Sequence, residues 1–177
     1  RALSVDSAYA SVSFLSNGVR YERRSFVSYP DNVLAVRFTA TEKGKQNLRL
    51  VYDKSPVSEG KFTAVRTDAL CYVGHLDNNG MEYAVRIKAV AKGGRVSNAD
   101  NCLSVEGADE VLFLLTADTD YKPNYDPDPT DAKAYVGVDP KQTTAEWMEQ
   151  AAKKNFKRLF QRHYDDYAEL YNRVKFS

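Results

Sequence analysis

The sequence predicts a mainly β protein: an antiparallel two-sheet β-sandwich followed by a C-terminal helical segment. Three observations predict it. Through the first 118 of 177 residues, apolar side chains recur at every second position, the spacing of half-buried strands. Asn17-Gly18, Pro30-Asp31-Asn32, Lys43-Gly44-Lys45, Asn78-Asn79-Gly80 and Gly93-Gly94 break that pattern at strand-length intervals. After Lys141 the apolar spacing becomes helical, with no Gly or Pro up to Ser177.

Ala8, Ala10, Val12 and Phe14 alternate with Tyr9, Ser11 and Ser13. Asn17-Gly18 then predicts a two-residue hairpin, because both central positions of a type I′ turn need positive φ. Its partner strand is expected over 19–29. Leu34, Val36, Phe38 and Ala40 form the next inward face, and Lys43-Gly44-Lys45 turns the chain into Leu48, Leu50 and Tyr52. A polar stretch with Pro56 and Gly60 precedes strands near 62–66 and 70–76. Met81, Tyr83, Val85, Ile87 and Ala89 alternate with Glu82, Arg86 and Lys88, and Gly93-Gly94 leads into Val96. Leu103 and Val105 mark a short strand. Val111-Leu112-Phe113-Leu114-Leu115 has no polar alternation, so it is expected to be a central strand covered on both faces. About ten strands at this spacing imply two packed sheets, with a core over Leu34, Val36, Phe38, Val85, Ile87 and residues 111–115.

Residues 1–141 read as the sandwich domain, ending in a long loop over 118–141 that holds Pro123, Pro127, Pro129 and Pro140. Residues 142–177 read as a helical connector. Thr143-Thr144-Ala145-Glu146 fits a capping box. Trp147, Ala151, Phe156, Leu159, Phe160, His163, Tyr167, Leu170, Tyr171 and Val174 recur at helical spacing. An unbroken helix over 144–173 would span ~45 Å. The segment is therefore expected to break in its middle or to reach beyond the sandwich. Trp147 is expected to be buried against the sandwich, and 163–174 to be the less supported half, held by a partner chain or a crystal neighbour.

Composition excludes several function classes. Twenty-five basic and 24 acidic residues give a net charge of +1, without the basic excess of a nucleic-acid-binding domain. No apolar run approaches the ~20 residues of a membrane span. Cys71 and Cys102 could pair, but two cysteines form no disulfide framework, and two half-buried thiols in strands are the plainer reading. No signal peptide is visible, and Arg1 reads as a boundary inside a longer polypeptide.

Candidate chemistry is sparse. Asp118, Asp120, Asp126, Asp128 and Asp131 place five carboxylates around one loop. An acid–base pair or a Ca²⁺ site drawn from them competes with the plainer reading of a solvated acidic loop. A Pro-rich loop holds catalytic geometry poorly, and EF-hand spacing is absent. His75 and His163 lack neighbours at zinc-ligand spacing, and His163 lies on the apolar helix face, where a packed histidine is expected. Arg23-Arg24 is an anion-site candidate against local ion pairing. The twelve tyrosines are sugar-stacking candidates against packing between sheets. No catalytic, cofactor or metal residue is assigned.

Several ordered motifs carry a resemblance. They are Arg1, Leu3, Val5 and Ala8; residues 17–23, Asn-Gly-Val-Arg-Tyr-Glu-Arg; residues 26–33; Gly93-Gly94; residues 103–111; and Thr116-Ala117-Asp118-Thr119-Asp120-Tyr121. Asn124-Tyr125-Asp126, Asp139-Pro140, and then His163, Asp166-Tyr167, Leu170-Tyr171 and Arg173-Val174 continue the order. Together they resemble the N-terminal β domain and helical connector of family-95 glycoside hydrolases, the α-L-fucosidases. Arg24 departs from the pattern, which has an acidic residue there. The resemblance implies a super-sandwich fold, incomplete before Arg1, in a periplasmic or secreted bacterial enzyme of carbohydrate metabolism. That enzyme would cleave α-L-fucosides, or α-L-galactosides, of oligosaccharides with inversion. It places the catalytic residues in an (α/α)6 barrel following the connector, so none falls on this chain. A separate carbohydrate-binding module, or a module that dimerises through its helix or an open sheet edge, is the alternative.

Overall fold

A computed structural model of the chain describes residues 1–53, 58–99 and 101–174. Among the described residues, eleven strands are followed by two helices. They are β1 Ala2–Ser4, β2 Tyr9–Ser16, β3 Val19–Ser28, β4 Val33–Ala40, β5 Gln46–Val51, β6 Ser58–Arg66, β7 Ala69–Leu76, β8 Glu82–Lys92, β9 Arg95–Ala99, β10 Cys102–Ala108, β11 Glu110–Thr119, α1 Pro140–Ala152 and α2 Phe156–Tyr171. The strands form an eight-stranded antiparallel sheet in the order β1-β2-β3-β4-β11-β8-β7-β6 and a three-stranded one in the order β5-β10-β9. Gly60 lies inside β6 rather than in a connecting stretch. Pro56 lies outside the described residues.

The apolar run Val111–Leu115 is central, as its composition requires. β11 pairs with β4 on one side and β8 on the other. Val111 and Phe113 face the small sheet, where Leu70, Ile87, Ala89, Leu103 and Val105 bury against them. Val36, Phe38 and Val85 pack at the margin of this cluster. Leu34, expected there, is only half-buried and stands outside it.

Leu112 and Leu114 face the opposite way. They pack with Phe26, Val33 and Ala35 against Met148, Ala151 and Leu159 of the helices. The large sheet is thus a middle layer, with the small sheet on one face and the helices on the other. Leu114 and Leu159 are fully buried, each worth roughly 1.5–3 kcal/mol by burial.

Two expectations about the helices are corrected. The cap of α1 is Asp139, whose Oδ1 accepts the Lys141 N–H at 2.8 Å, with Pro140 at the first helical position. Proline suits that position because its missing N–H would be unpaired there anyway. The helix therefore starts ahead of the Thr143–Glu146 box, and Glu146 instead accepts from Gln142 Nε2 at 2.9 Å. Trp147 is only half-buried; Met148 fills the core position. The helical segment breaks after Ala152, and Asn155 Oδ1 caps α2 by accepting the Arg158 N–H at 2.9 Å.

α2 lies on the outer face of β3. Phe26 meets Phe156, Phe160 and His163, with ring centroids 5.3, 5.5 and 4.9 Å apart. The half from His163 onward is tied within its own chain. His163 Nε2–H donates to the Ala8 carbonyl at 2.9 Å, Tyr167 Oη to the Val5 carbonyl at 2.6 Å and Tyr171 Oη to Asp6 Oδ1 at 3.1 Å. Leu170 and Val174 remain exposed.

One buried carboxylate fixes α2 lengthwise. Asp31, in the turn between β3 and β4, accepts from Ser28 Oγ at 2.8 Å and Arg162 Nε at 2.9 Å, and Lys154 Nζ stands 3.2 Å away. Burial alone would push its carboxyl up. The bonds from Ser28, Arg162 and Lys154 and the Arg162 charge outweigh that and hold it below the usual aspartate value. A depressed folded-state value means the stabilisation is present above the unfolded pKa of ~3.9 and is lost as pH falls through the folded value. Asp31→Asn is expected to cost about 3 kcal/mol in urea unfolding at pH 7, with the gap to wild type closing below about pH 4. A second expectation concerns Asn17 and Gly18, whose φ values are 50° and 81°. No atom lies within 4 Å of a Cβ at Gly18, so Gly18→Val should cost about 1 kcal/mol through backbone strain alone, read as a lowered unfolding midpoint.

Candidate functional site

The five loop carboxylates do not converge. Asp118 sits in β11, paired with Ala84. Asp120 Oδ1 accepts the Glu82 N–H at 3.1 Å. Asp128 Oδ1 accepts both the N–H and the hydroxyl of Thr130, at 2.8 and 2.7 Å, and Asp131 Oδ1 accepts the Lys133 N–H at 2.8 Å. The Asp126 N–H donates to Asn124 Oδ1 at 3.2 Å. Apart from the Asp120 bond, which ties the loop to β8, these are Asx-type bonds, in which short polar side chains close turns. Among the described residues no three His, Cys, Asp or Glu side chains come together as a metal site.

The same bonds make the loop a built structure. A bridge pairs Tyr121 with Val136. The Lys122 N–H donates to the Tyr135 carbonyl at 2.7 Å, the Gly137 N–H to the Asp120 carbonyl at 2.5 Å and Asn124 Nδ2 to the Ala134 carbonyl at 3.1 Å. On this frame Tyr121 and Tyr135 stack with centroids 6.1 Å apart and planes 8° apart. Both are about half exposed, and Tyr125 of the same loop is 97 % exposed.

The other candidates are mostly structural. His163 is packed on Phe26 as described. His75 is exposed on β7, in register with Glu59 of β6 and Glu82 of β8. Arg23 and Arg24 point to opposite faces of β3. Arg24 pairs with Glu22 at 2.5 Å and lies over the Tyr9 ring, while Arg23 lines a groove on the inner face. Cys71 and Cys102 are free, buried and in different sheets; burial pushes the Cys71 thiol up.

Tyr52, Phe62, Tyr72 and Tyr83 pack ring against ring between the sheets, at 4.8–5.8 Å. The sequence reading missed what makes room for them. A Cβ at Gly60 would stand 2.6 Å from the Tyr72 ring, and one at Gly74 would stand 2.9 Å from it. Glycines inside strands, two residues from an aromatic, were the available signal.

The groove at Arg23 lies between the inner face of β2–β4 and the edge of β5. It encloses about 440 Å³, with Val12, Phe14, Tyr21, Phe38 and Leu48 as its apolar lining. Phe14 and Tyr21 stack at 5.2 Å and 13° on its floor.

A family model described as glycosyl hydrolase family 65, N-terminal domain, matches residues 1–124, well over half of the chain. The chain belongs to this family of N-terminal domains. Among curated proteins it is similar to "Alpha-L-fucosidase 2" of Arabidopsis thaliana, 26 % identical over 196 residues, covering 98 % of this chain and 23 % of the relative. It is also similar to "Probable alpha-fucosidase A" of Aspergillus niger, 27 % identical over 188 residues, covering 98 % and 22 %. A solved structure provisionally named a kojibiose phosphorylase, from the human microbiome, superposes with a TM-score of 0.62 at 10 % identity, over 96 % of this chain and 24 % of that one. That likeness shows the fold. The chain spans less than a quarter of the length of each of these proteins.

The Thr130 bonds, from hydroxyl and backbone N–H, hold the Asp128 carboxyl below its ordinary value. In an NMR titration Asp128 is expected to titrate below ~3.9, the ordinary aspartate value. Thr130→Val, which removes only the hydroxyl bond, should move the midpoint back up. An unmoved midpoint would show that the turn is not formed as described.

Proposed function

We infer that this chain serves as the non-catalytic N-terminal β domain of an α-L-fucosidase-like enzyme. The carrying observation is that two relatives named as fucosidases align over 98 % of the chain, while an N-terminal-domain family model covers residues 1–124. The parent enzyme hydrolyses α-L-fucosides of oligosaccharides with inversion, in the periplasm or outside the cell. Its reaction belongs to an (α/α)6 barrel, and this domain supports that barrel. The arrangement of the loop favours this division of labour. An inverting pair needs two carboxyls ~6.5–9.5 Å apart around a water. The loop carboxylates for which partners are described are instead engaged structurally, Asp120 by the Glu82 N–H of β8, Asp128 by Thr130 and Asp131 by the Lys133 N–H. The built loop with Tyr121, Tyr125 and Tyr135 on its surface suits a wall of the active-site entrance. It is also the one feature that favours the second reading, an independent carbohydrate-binding module, because exposed rigid aromatics can stack on pyranose rings.

The purified chain is expected to release no phenol from an aryl α-L-fucoside, whereas the same domain joined to its barrel does. Turnover by the chain alone, lost on replacing one of its own carboxylates, would overturn the assignment. Saturating binding of a fucosylated oligosaccharide by the chain alone, lost in Tyr121→Ala, would favour the second reading.

A further inference from the structure

The loop between β11 and α1 is fastened internally, yet it shows its aromatic rings to solvent. Tyr121 and Tyr135, stacked on each other, are 55 and 46 % exposed. Gly137 lets the returning limb close: a Cβ there would stand 3.1 Å from both the Asp120 carbonyl oxygen and Lys122 Cβ. Successive turns carry the chain back, the Asp131 N–H donating to the Asp128 carbonyl at 3.1 Å and the Val136 N–H to the Lys133 carbonyl at 2.9 Å. An ordered frame therefore holds a ring pair in water, where it forgoes the gain of burial.

The surroundings of the rings select the kind of ligand. Protein interfaces are depleted of aspartate, whereas Asp120, Asp126, Asp128 and Asp131 all lie in this loop. Such carboxylates equally disfavour a nucleic acid, whose phosphates they would repel. In the turn-closing bonds, Asp128 and Asp131 each use one carboxylate oxygen, Oδ1; the second oxygen of each can still accept. A pyranose matches both parts of this surface. Its C–H face lies flat on an aromatic ring, and its hydroxyls donate to carboxylates.

We propose that Tyr121 and Tyr135 form a subsite for the leaving sugar, the unit from which the fucosyl group is cut. The ring pair stacks on the apolar face of that sugar, while aspartates of the same loop accept from its hydroxyls. The inference rests on the functional reading above, in which the fucosyl unit enters the barrel and this loop stands at the entrance. A terminal fucosyl unit held in the barrel points the rest of its oligosaccharide outward, towards that entrance. The tyrosines then select substrates by what carries the fucose, not by the fucose itself. A single stacking contact holds a sugar too weakly for the chain alone to retain it, and the rest of the hold belongs to the barrel. This separates the subsite from an independent binding module.

Steady-state kinetics of the longer product of the gene test it with two substrates. One is a fucosyl-lactose trisaccharide; the other is α-L-fucosyl fluoride, which has no leaving sugar. Tyr121→Ala should raise KM for the trisaccharide about 2- to 10-fold, the range of one aromatic contact. Its kcat should not change, since this binding is common to the ground and transition states. Its kcat/KM for the fluoride should stay at the wild-type value. Tyr121→Phe should behave as wild type, because stacking needs the ring and not the hydroxyl. If Tyr121→Ala does not fold, Tyr135→Ala serves the same purpose. An unchanged KM for the trisaccharide, or an equal loss on both substrates, overturns the proposal. So does saturating binding of the trisaccharide by the chain alone, which would mean an independent module. Cleavage of neither substrate by the wild type overturns the functional reading and the subsite with it. Cleavage of the fluoride without a selective loss on the trisaccharide overturns the subsite alone.

Discussion

The burial of β11 on both faces is the constraint from which the architecture follows. Its five consecutive apolar residues cannot face water on either side, so the sheet that contains them needs a cover above and below. Above, the small sheet supplies Leu103 and Val105; below, the helices supply Met148, Ala151 and Leu159. The Thr116 hydroxyl, just past the run, donates to the Thr144 carbonyl at 3.0 Å and pins α1 to the same strand. The helices are therefore part of the sandwich, a third layer rather than a stalk leaving it.

That layer explains how a domain of this kind can present a rigid surface. Asp31 bonds across the junction between α1 and α2, so the turn between β3 and β4, the helix break and α2 move together. The loop between β11 and α1 is anchored at both ends by this assembly. Its tyrosine pair rides on a fixed frame, a condition for any part it plays at a sugar or protein surface.

Much of this was legible in the sequence because it rests on local rules. Alternation gave the strands, Asn17-Gly18 gave the hairpin and the Val111–Leu115 run gave the centre of the sheet. Where the sequence misled, a competing local signal won. Asp139 before Pro140 makes a better helix start than Thr143; the break in the helical segment was among the expected outcomes, and Asn155 supplies it without Gly or Pro. The role of Asp31 could not be read from its neighbours, since Arg162 lies 131 residues away. A solvated loop or turn is the plainer reading of the loop aspartates, but which backbone groups Asp120, Asp128 and Asp131 hold could not be read from their spacing. The unequal widths of the two sheets are likewise a matter of long-range pairing, invisible to any periodicity.

The hydrogen bonds from α2 to the first turn join residues 155–165 positions apart: His163 to Ala8, Tyr167 to Val5 and Tyr171 to Asp6. Ala8 is held there at a φ of 46°, unusual for alanine. Contacts this distant form only after the intervening chain has been made. During synthesis this turn leaves the ribosome long before its fastening does. β1 and the turn behind it must then wait, unlatched, for the last two turns of helix to emerge. A ribosome that stalls before Tyr167 would leave the strands between β2 and β11 made and β1 loose, a natural handle for a chaperone or a protease.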